Sequence, residues 1–135
     1  MVAGRLHAQL IEARLDRSLC TYLSAKSAPE HVIGALNLRN ITRGSMMSAV
    51  IGYGLAPEAV GNGFMSEAID RIVEVGFDEL GLHRLEINIV PRNARSIAVA
   101  ERCGFRREGL SPRYLKIAGR WEDHVRYAKL NESGR

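Results

Sequence analysis

The segment between Ile51 and Phe105 limits the possible folds of this chain more than any other. An apolar strand leads into a glycine-punctuated loop, VGNGFM at 60–65, and the loop runs directly into a long amphipathic helix. A second strand ends at PRN, residues 91–93, where another helix opens. The first amides of a helix lack intrahelical acceptors and carry the positive end of its dipole, so a glycine loop there indicates an anion site. The expected anion is the phosphate of a bound cofactor.

The length of 135 residues predicts one domain, residues 1–135, which ends in a short polar tail at 131–135. No apolar run approaches the roughly 20 residues of a membrane span. The first residues also lack the layout of a secretion signal. Cys20 and Cys103 lie far apart and have no metal-type spacing, so we expect reduced thiols in a cytoplasmic protein that binds no metal and no membrane.

The positive charge of the chain is spread along its length. The net charge is +4 and the pI is near 9.4. Only a few arginines come close together, and they flank the helix that opens after residue 93. Diffuse positive charge is typical of solvated surface, or of steering toward an anionic ligand, rather than of a face that reads bases. We therefore do not expect nucleic-acid binding as the primary function.

Hydrophobic periodicity divides the chain into three helices and six strands. Helical spacing covers 5–17, Phe64–Leu80 and Ala94–Arg102, the last capped by Asn93. Strand patterns cover the remaining apolar runs, which are 19–25, 32–41, 47–55, 84–90, 110–117 and 121–130. The first three strands predict an antiparallel meander, and the last two predict a hairpin that turns at Ala118-Gly119.

Six motifs in chain order carry a family resemblance. They are IGYGL at 51–55, GNGFMSEA at 61–68, GLHRLE at 81–86, PRNARS at 91–96, RCGFRREG at 102–109 and, after Tyr114-Leu115, GRWEDH at 119–124. With them the chain resembles the GNAT superfamily of N-acetyltransferases, and within it the RimJ/RimL branch of ribosomal-protein N-terminal alanine or serine acetyltransferases. The match runs through nearly the whole chain.

The resemblance implies an α/β (α+β) fold with a mixed, mostly antiparallel sheet of about six strands and helices on both faces. A V-shaped split opens between the strand before the glycine loop and the strand that ends near Pro91, and acetyl-CoA lies there as the cosubstrate. Backbone amides of the loop would cradle its diphosphate. The implied cofactor-binding residues are Gly54, Leu55, Val60, Gly61, Asn62, Gly63, Phe64, Met65, Asn93, Ser96 and Arg102.

Acetyl transfer requires an uncharged amine, a base or held water to deprotonate it, and a donor to the oxyanion. The resemblance implies that a backbone N–H near Gly54 and Leu55 is this donor. Our candidate for holding the water is Glu86 with Asn88 on the same strand face, although Glu86 is equally suited to an ion pair with an arginine. Ser96 matches a serine that some relatives use to protonate the departing thiolate; an exposed helical serine is the plain alternative.

Several positions depart from the family pattern. Val60 replaces an arginine or glutamine, Met65 replaces a glycine or alanine, and Ala100 stands where many members carry a tyrosine acid. Arg113 stands where some members of the branch carry an acidic residue. These changes leave open a non-catalytic domain that binds acyl-CoA.

The acceptor end of the chain is the least determined. We expect Trp121 to pack in the core, and Asp123 or His124 is a candidate contact for the acceptor. Relatives also begin with a further strand and helix that are missing here, so either the start is truncated or a partner subunit, as in a homodimer, covers the exposed edge. The expected acceptor is a protein N-terminal α-amine; a small amine such as a polyamine, aminoglycoside or amino acid is the alternative.

Overall fold

The computed structural model describes residues 2–3, 6–13, 18–25, 30–56, 60–61 and 63–132. Within these ranges the chain forms eight strands and two α-helices. In chain order the elements are β1 (Val2–Ala3), β2 (Leu6–Ala13), β3 (Ser18–Ala25), β4 (Val32–Thr42), β5 (Ser48–Leu55), α1 (Phe64–Glu74, continued by a π-helical turn at Val75–Glu79), β6 (Arg84–Ile89), α2 (Ala94–Arg102), β7 (Arg106–Ile117) and β8 (Arg120–Leu130).

All eight strands form one sheet in the order β1-β2-β3-β4-β5-β6-β8-β7. Every neighbouring pair is antiparallel except β5 and β6, which are parallel. The predicted mixed, mostly antiparallel sheet is therefore confirmed. It has two more strands than the six expected, because β1 and β2 extend it at one edge.

The predicted helix at 5–17 is wrong where the structure describes it. Residues 6–13 form β2, which pairs with β3 from Leu6 opposite Ala25 to Ala13 opposite Ser18. Helical spacing of apolar residues is only a local signal, and the free edge of β3 offers a full ladder of backbone hydrogen bonds. Residue 5 and residues 14–17 lie outside the described residues.

One face of the sheet carries the hydrophobic core. Its central strands contribute buried side chains at every second position, among them Leu36, Leu38, Ile51, Leu85 and Ile87. Both helices pack on this face: a Cβ added at Gly76 would meet Leu85 at 3.1 Å, and Ser96 of α2 contacts Tyr53 of β5. The expectation of helices on both faces is wrong for the described part of the chain.

The sheet splits between β5 and β6. Only residues 48–50 pair with 84–86, and beyond Val50 and Glu86 the two strands have no register partners across the gap. Each strand keeps its other neighbour, because β5 stays paired with β4 to Leu55 and β6 stays paired with β8 to Ile89. The predicted V-shaped split is thus confirmed, with its vertex at Val50 and Glu86.

The helices follow their predicted bounds closely. α1 with its π-helical turn covers 64–79, against a predicted 64–80, and Gly81 at φ 67° follows it. α2 has the predicted bounds. Neither they nor any other helix in the described ranges is both long enough and apolar enough to cross a bilayer.

Candidate active site

A cavity of about 360 Å³ lies at the split, between the end of β5 and the first turns of both helices. Its walls come from three parts of the chain that the sequence analysis singled out: strand β5, the glycine loop with α1, and α2. The lining residues are Tyr53, Gly54, Leu55, Val60, Gly61, Gly63, Phe64, Met65, Ser66, Asn93, Arg95, Ser96, Ala98, Val99 and Arg102. Every predicted cofactor-binding residue is among them except Asn62, which lies outside the described residues.

The glycine loop exposes its backbone to the cavity. Gly61 has φ 90° and Gly63 has φ 76°, values that side chains with a Cβ rarely adopt. Gly63 is the N-cap of α1, and a glycine has no side chain with which to cap the helix. Among the described residues, a Cβ built on Gly61 would meet no atom within 4 Å, so a ligand can approach the loop backbone there. A helix N-terminus that follows such a glycine loop suits a phosphate group.

Strand β5 turns every second backbone donor toward the gap. Ala56 N–H donates to the Ile33 carbonyl of β4 at 2.7 Å, and Gly54 faces β4 in the same way because backbone groups alternate along a strand. The N–H of Leu55 therefore points away from β4 and into the split, where β6 has diverged. Of the two residues expected near the oxyanion, Leu55 is the one whose amide is oriented toward a ligand.

Helix α2 presents a hydroxyl group that is held in place from two sides. Asn93 Oδ1 accepts a hydrogen bond from Ser96 N–H at 3.2 Å, which confirms the predicted cap. The Ser96 hydroxyl lies 2.5 Å from the Tyr53 hydroxyl of β5. Burial raises the pKa of Tyr53, against the opposing effect of the Ser96 hydrogen bond.

Tyr53 is a site residue that the sequence analysis missed. The signal was present, since Tyr53 alternates with Ile51 and Leu55 and so had to point to the same face as these core residues. What the alternation does not give is the distance to α2, because that distance depends on how the helix packs across the split.

The remaining polar side chains of the cavity are cationic or neutral. Arg95 and Arg102 line it, and Arg102 Nη1 donates to Ser66 Oγ at 3.4 Å. Guanidinium groups bind phosphate well. These two arginines line the same cavity as the glycine loop, where Val60 stands in place of the polar side chain of the family pattern. Backbone donors, two arginines and an apolar wall from Leu55 and Val60 fit a ligand that has phosphate groups and an extended, uncharged arm.

The structure does not bring the two candidate water-holding residues into this cavity. Glu86 and Asn88 lie on the opposite face of the sheet, half-buried, because they alternate with the core residues of β6. Glu86 is also engaged, since Arg84 Nε donates to its Oε2 at 2.9 Å. Glu86 stands at the vertex of the split, and Asn88 lies two residues into the open part.

Three expectations at the acceptor end have different outcomes. Trp121 is 60% exposed, so the prediction of a core position is wrong. It lies beyond the last β8 residue that pairs with β6, where β7 is the only neighbouring strand among the described residues and none of them buries the ring. Asp123 Oδ1 accepts from the Arg113 N–H at 2.9 Å, while His124 is buried, with Nδ1 3.0 Å from the Glu122 carbonyl oxygen.

Comparison with known proteins identifies the family. The family model described as "Acetyltransferase (GNAT) domain" matches residues 4–106. Probable N-acetyltransferase YjcK of Bacillus subtilis is 42% identical over 105 residues, which are 78% of this chain and 58% of that protein. The [Ribosomal protein uS5]-alanine N-acetyltransferase of Escherichia coli is 35% identical over 96 residues, 71% of this chain and 50% of that protein. The chain thus spans about half the length of these curated relatives.

A polyamine enzyme and a solved structure extend the comparison. Spermidine N(1)-acetyltransferase of Vibrio cholerae is 31% identical over 98 residues, 73% of this chain and 56% of that protein. Mycobacterium smegmatis RimJ in complex with CoA-disulfide superposes with a TM-score of 0.83 at 35% identity, covering 88% of this chain and 56% of that one. The resemblance deduced from the motifs is confirmed, and this chain belongs to the GNAT acetyltransferase family.

Proposed function

We propose that this chain transfers an acetyl group from acetyl-CoA to a primary amine, and that the amine is the α-amine of a protein N-terminus. The observation that carries the proposal is the cavity at the split, which is lined by the glycine N-terminus of α1, by Arg102 and by Leu55 with its inward N–H. A diphosphate at the loop directs the rest of an extended cofactor along the split. Its thioester then comes to the Leu55 end of β5.

The residues divide the reaction between the two faces of the sheet. On the cavity side, the Leu55 N–H stabilises the oxyanion that forms when the amine attacks the thioester carbonyl, and Ser96 gives a proton to the departing sulfur. On the far side, Glu86 and Asn88 hold a water that takes the proton from the amine. The split lets the amine approach from the far side and the cofactor from the cavity side.

Charge on the far face favours a singly charged acceptor over a polyamine. The carboxylate of Glu86 is paired with Arg84, which also binds Glu108, and Arg126 lies 3.8 Å from Glu108. Two arginines balance these two carboxylates, so this cluster has no surplus negative charge for a polycation. A protein N-terminus carries one positive charge that it loses before attack, and it needs no acidic wall.

A thiol-release assay tests the proposal. Peptides that begin with alanine or serine are compared with spermidine, an aminoglycoside and a free amino acid at equal concentrations of acetyl-CoA. We expect kcat/KM to be highest for the peptides, and we expect the same peptides with blocked N-termini to be inactive. A higher kcat/KM for spermidine than for the peptides would contradict the proposed acceptor and would still support acetyl transfer. Binding of acetyl-CoA without turnover of any amine would instead favour a non-catalytic acyl-CoA-binding domain.

A further inference from the structure

The closest polar contact across the cavity joins two hydroxyl groups. Tyr53 Oη and Ser96 Oγ are 2.5 Å apart, which is the short end of the range for O–H···O hydrogen bonds. Both side chains line the cavity, one from β5 and one from α2. Ala100 one turn further along α2 is fully buried and has no polar group. The acid that relatives place at that position is therefore missing, while the phenol of Tyr53 lines the cavity from β5.

The acidity of the two groups decides which of them donates. A phenol has a pKa near 10, far below that of an aliphatic alcohol, so Tyr53 is the better donor. The Tyr53 hydroxyl has a single proton, and its other acceptor, the Ser96 carbonyl oxygen, lies at the longer distance of 3.4 Å. When Tyr53 donates to Ser96 Oγ, the Ser96 proton is free to point into the cavity. The backbone of Ser96 is fixed at the same time by its hydrogen bond to Asn93.

We propose that Tyr53 is a positioning residue that orients Ser96 and resupplies its proton, so that this hydroxyl pair replaces the missing tyrosine of α2. The inference rests on the proposed acetyl transfer. As the amine nitrogen bonds to the carbonyl carbon, the C–S bond breaks and its electron pair goes to sulfur. Ser96 gives its proton to that thiolate, and Tyr53 gives its own proton to Ser96. Solvent then reprotonates the phenolate, while the amine proton leaves through the water on the far face.

The first test compares Tyr53→Phe, Ser96→Ala and the double variant in steady-state kinetics. We expect each single change to lower kcat on the order of 100-fold, the low end for loss of a general acid. KM for acetyl-CoA should stay within about twofold, because the hydroxyl acts on the leaving group and not on cofactor binding. If the pair works as a unit, the double variant is no slower than Ser96→Ala alone. A wild-type kcat in Tyr53→Phe, or losses that multiply, would overturn the inference.

The second test needs no turnover. Isothermal titration compares CoA with desulfo-CoA, which lacks only the sulfur atom. At alkaline pH the CoA thiolate accepts the Ser96 hydrogen bond, so we expect the wild-type protein to bind CoA more tightly than desulfo-CoA. We expect both single variants to lose this preference for CoA. A preference that survives in Tyr53→Phe contradicts the inference. If wild type acetylates no amine, the proposed function fails, and this titration still decides whether the hydroxyl pair faces the sulfur.

Tyr127→Phe is the matched control. Tyr127 is another tyrosine on the same face of the sheet, on β8; its side chain is buried and does not line the cavity. Tyr127→Phe removes a phenol hydroxyl from this face without touching Ser96. We expect unchanged kcat and an unchanged preference for CoA, and urea unfolding of both tyrosine variants separates catalytic loss from loss of folded protein. An equal fall of kcat in Tyr127→Phe would reduce the role of Tyr53 to packing.

Discussion

The guanidinium of Arg84 holds the carboxylate of Glu86 at 2.9 Å, on the face of the sheet that the cavity does not reach. The same guanidinium binds both carboxylate oxygens of Glu108 on β7. One arginine thus orients two acids, of which only Glu86 stands at the vertex of the split. In the proposed mechanism the two interpretations of Glu86 are compatible, because the ion pair fixes the carboxylate at the place where that mechanism requires a water-mediated base.

Glu86→Gln separates a base from a purely structural acid. The substitution keeps the shape and removes the charge, so we expect kcat to fall on the order of 100-fold with little change in KM for acetyl-CoA. Glu108→Gln is the control, since it removes a carboxylate from the same arginine away from the vertex. Steady-state kinetics should show near wild-type kcat for Glu108→Gln. Equal losses in both variants would assign Glu86 to the ion pair alone.

The pair between Arg84 and Glu108 makes stability depend on pH. The hydrogen bonds from Arg84 lower the pKa of Glu108 below its ordinary value of 4.5. A carboxylate with a lowered folded-state pKa stabilises the protein above its unfolded pKa and loses that effect as pH falls through the folded one. Urea unfolding should show wild type more stable than Glu108→Gln by about 0.5 kcal/mol at neutral pH, because the pair is largely exposed.

The same comparison at lower pH gives the check. As pH falls below 4.5 and through the lowered pKa of Glu108, the two unfolding free energies should converge. A difference that stays constant from neutral pH to strongly acidic pH would mean that the carboxylate charge contributes nothing.

Gly61→Ala tests the backbone of the glycine loop. Gly61 has φ 90°, so alanine is strained there, by about 1–2 kcal/mol, although its methyl group meets no neighbour. We expect the Kd for CoA to rise about tenfold, equivalent to about 1.4 kcal/mol of binding free energy, because the loop amides shift away from the phosphates. Isothermal titration measures the change.

Gly44→Ala supplies the matched control for that strain. Gly44 has φ 76° in the turn between β4 and β5, with no atom within 4 Å of an added Cβ and no place in the cavity lining. Gly44→Ala should lower the free energy of unfolding about as much as Gly61→Ala does, and it should leave the Kd for CoA unchanged. If both alanine variants weakened CoA binding equally, general destabilisation and not the loop would be the cause.

Asn93 has an observed role and a proposed one. Its side chain caps α2, and because it lines the cavity we propose that its amide also contacts the pantetheine arm. Asn93→Ala should lower the unfolding free energy by about 1 kcal/mol, whereas Asn93→Ser keeps a capping oxygen and should cost almost nothing. If the amide contacts the cofactor, both variants weaken CoA binding in isothermal titration. Wild-type affinity in Asn93→Ser would leave only the cap.

Local rules predicted most of the elements because their signals were strong. Alternating apolar residues fixed β6, and the cap at Asn93 with glycine after Cys103 fixed both ends of α2. The cavity lining was predictable for the same reason, since the loop and helix starts that surround it are marked by glycine and asparagine.

The misses share a physical cause, which is that they depend on partners distant in sequence. Residues 6–13 have helical spacing, but the open edge of β3 makes them a strand. Trp121 is apolar, yet its ring is exposed, because the pairing of β8 with β6 ends at Val125, before Trp121 is reached. The contact between Tyr53 and Ser96 spans 43 positions in sequence and exists because α2 packs across the split.

In the proposed function, the amides at the start of α1 bind the diphosphate of CoA. A crystal structure of this protein grown with CoA measures this directly. We expect the diphosphate within hydrogen-bonding distance of backbone N–H groups between Val60 and Ser66, with the pantetheine arm running along β5 toward Leu55. A structure at saturating CoA with no diphosphate at this loop, or with CoA bound elsewhere, would contradict the account.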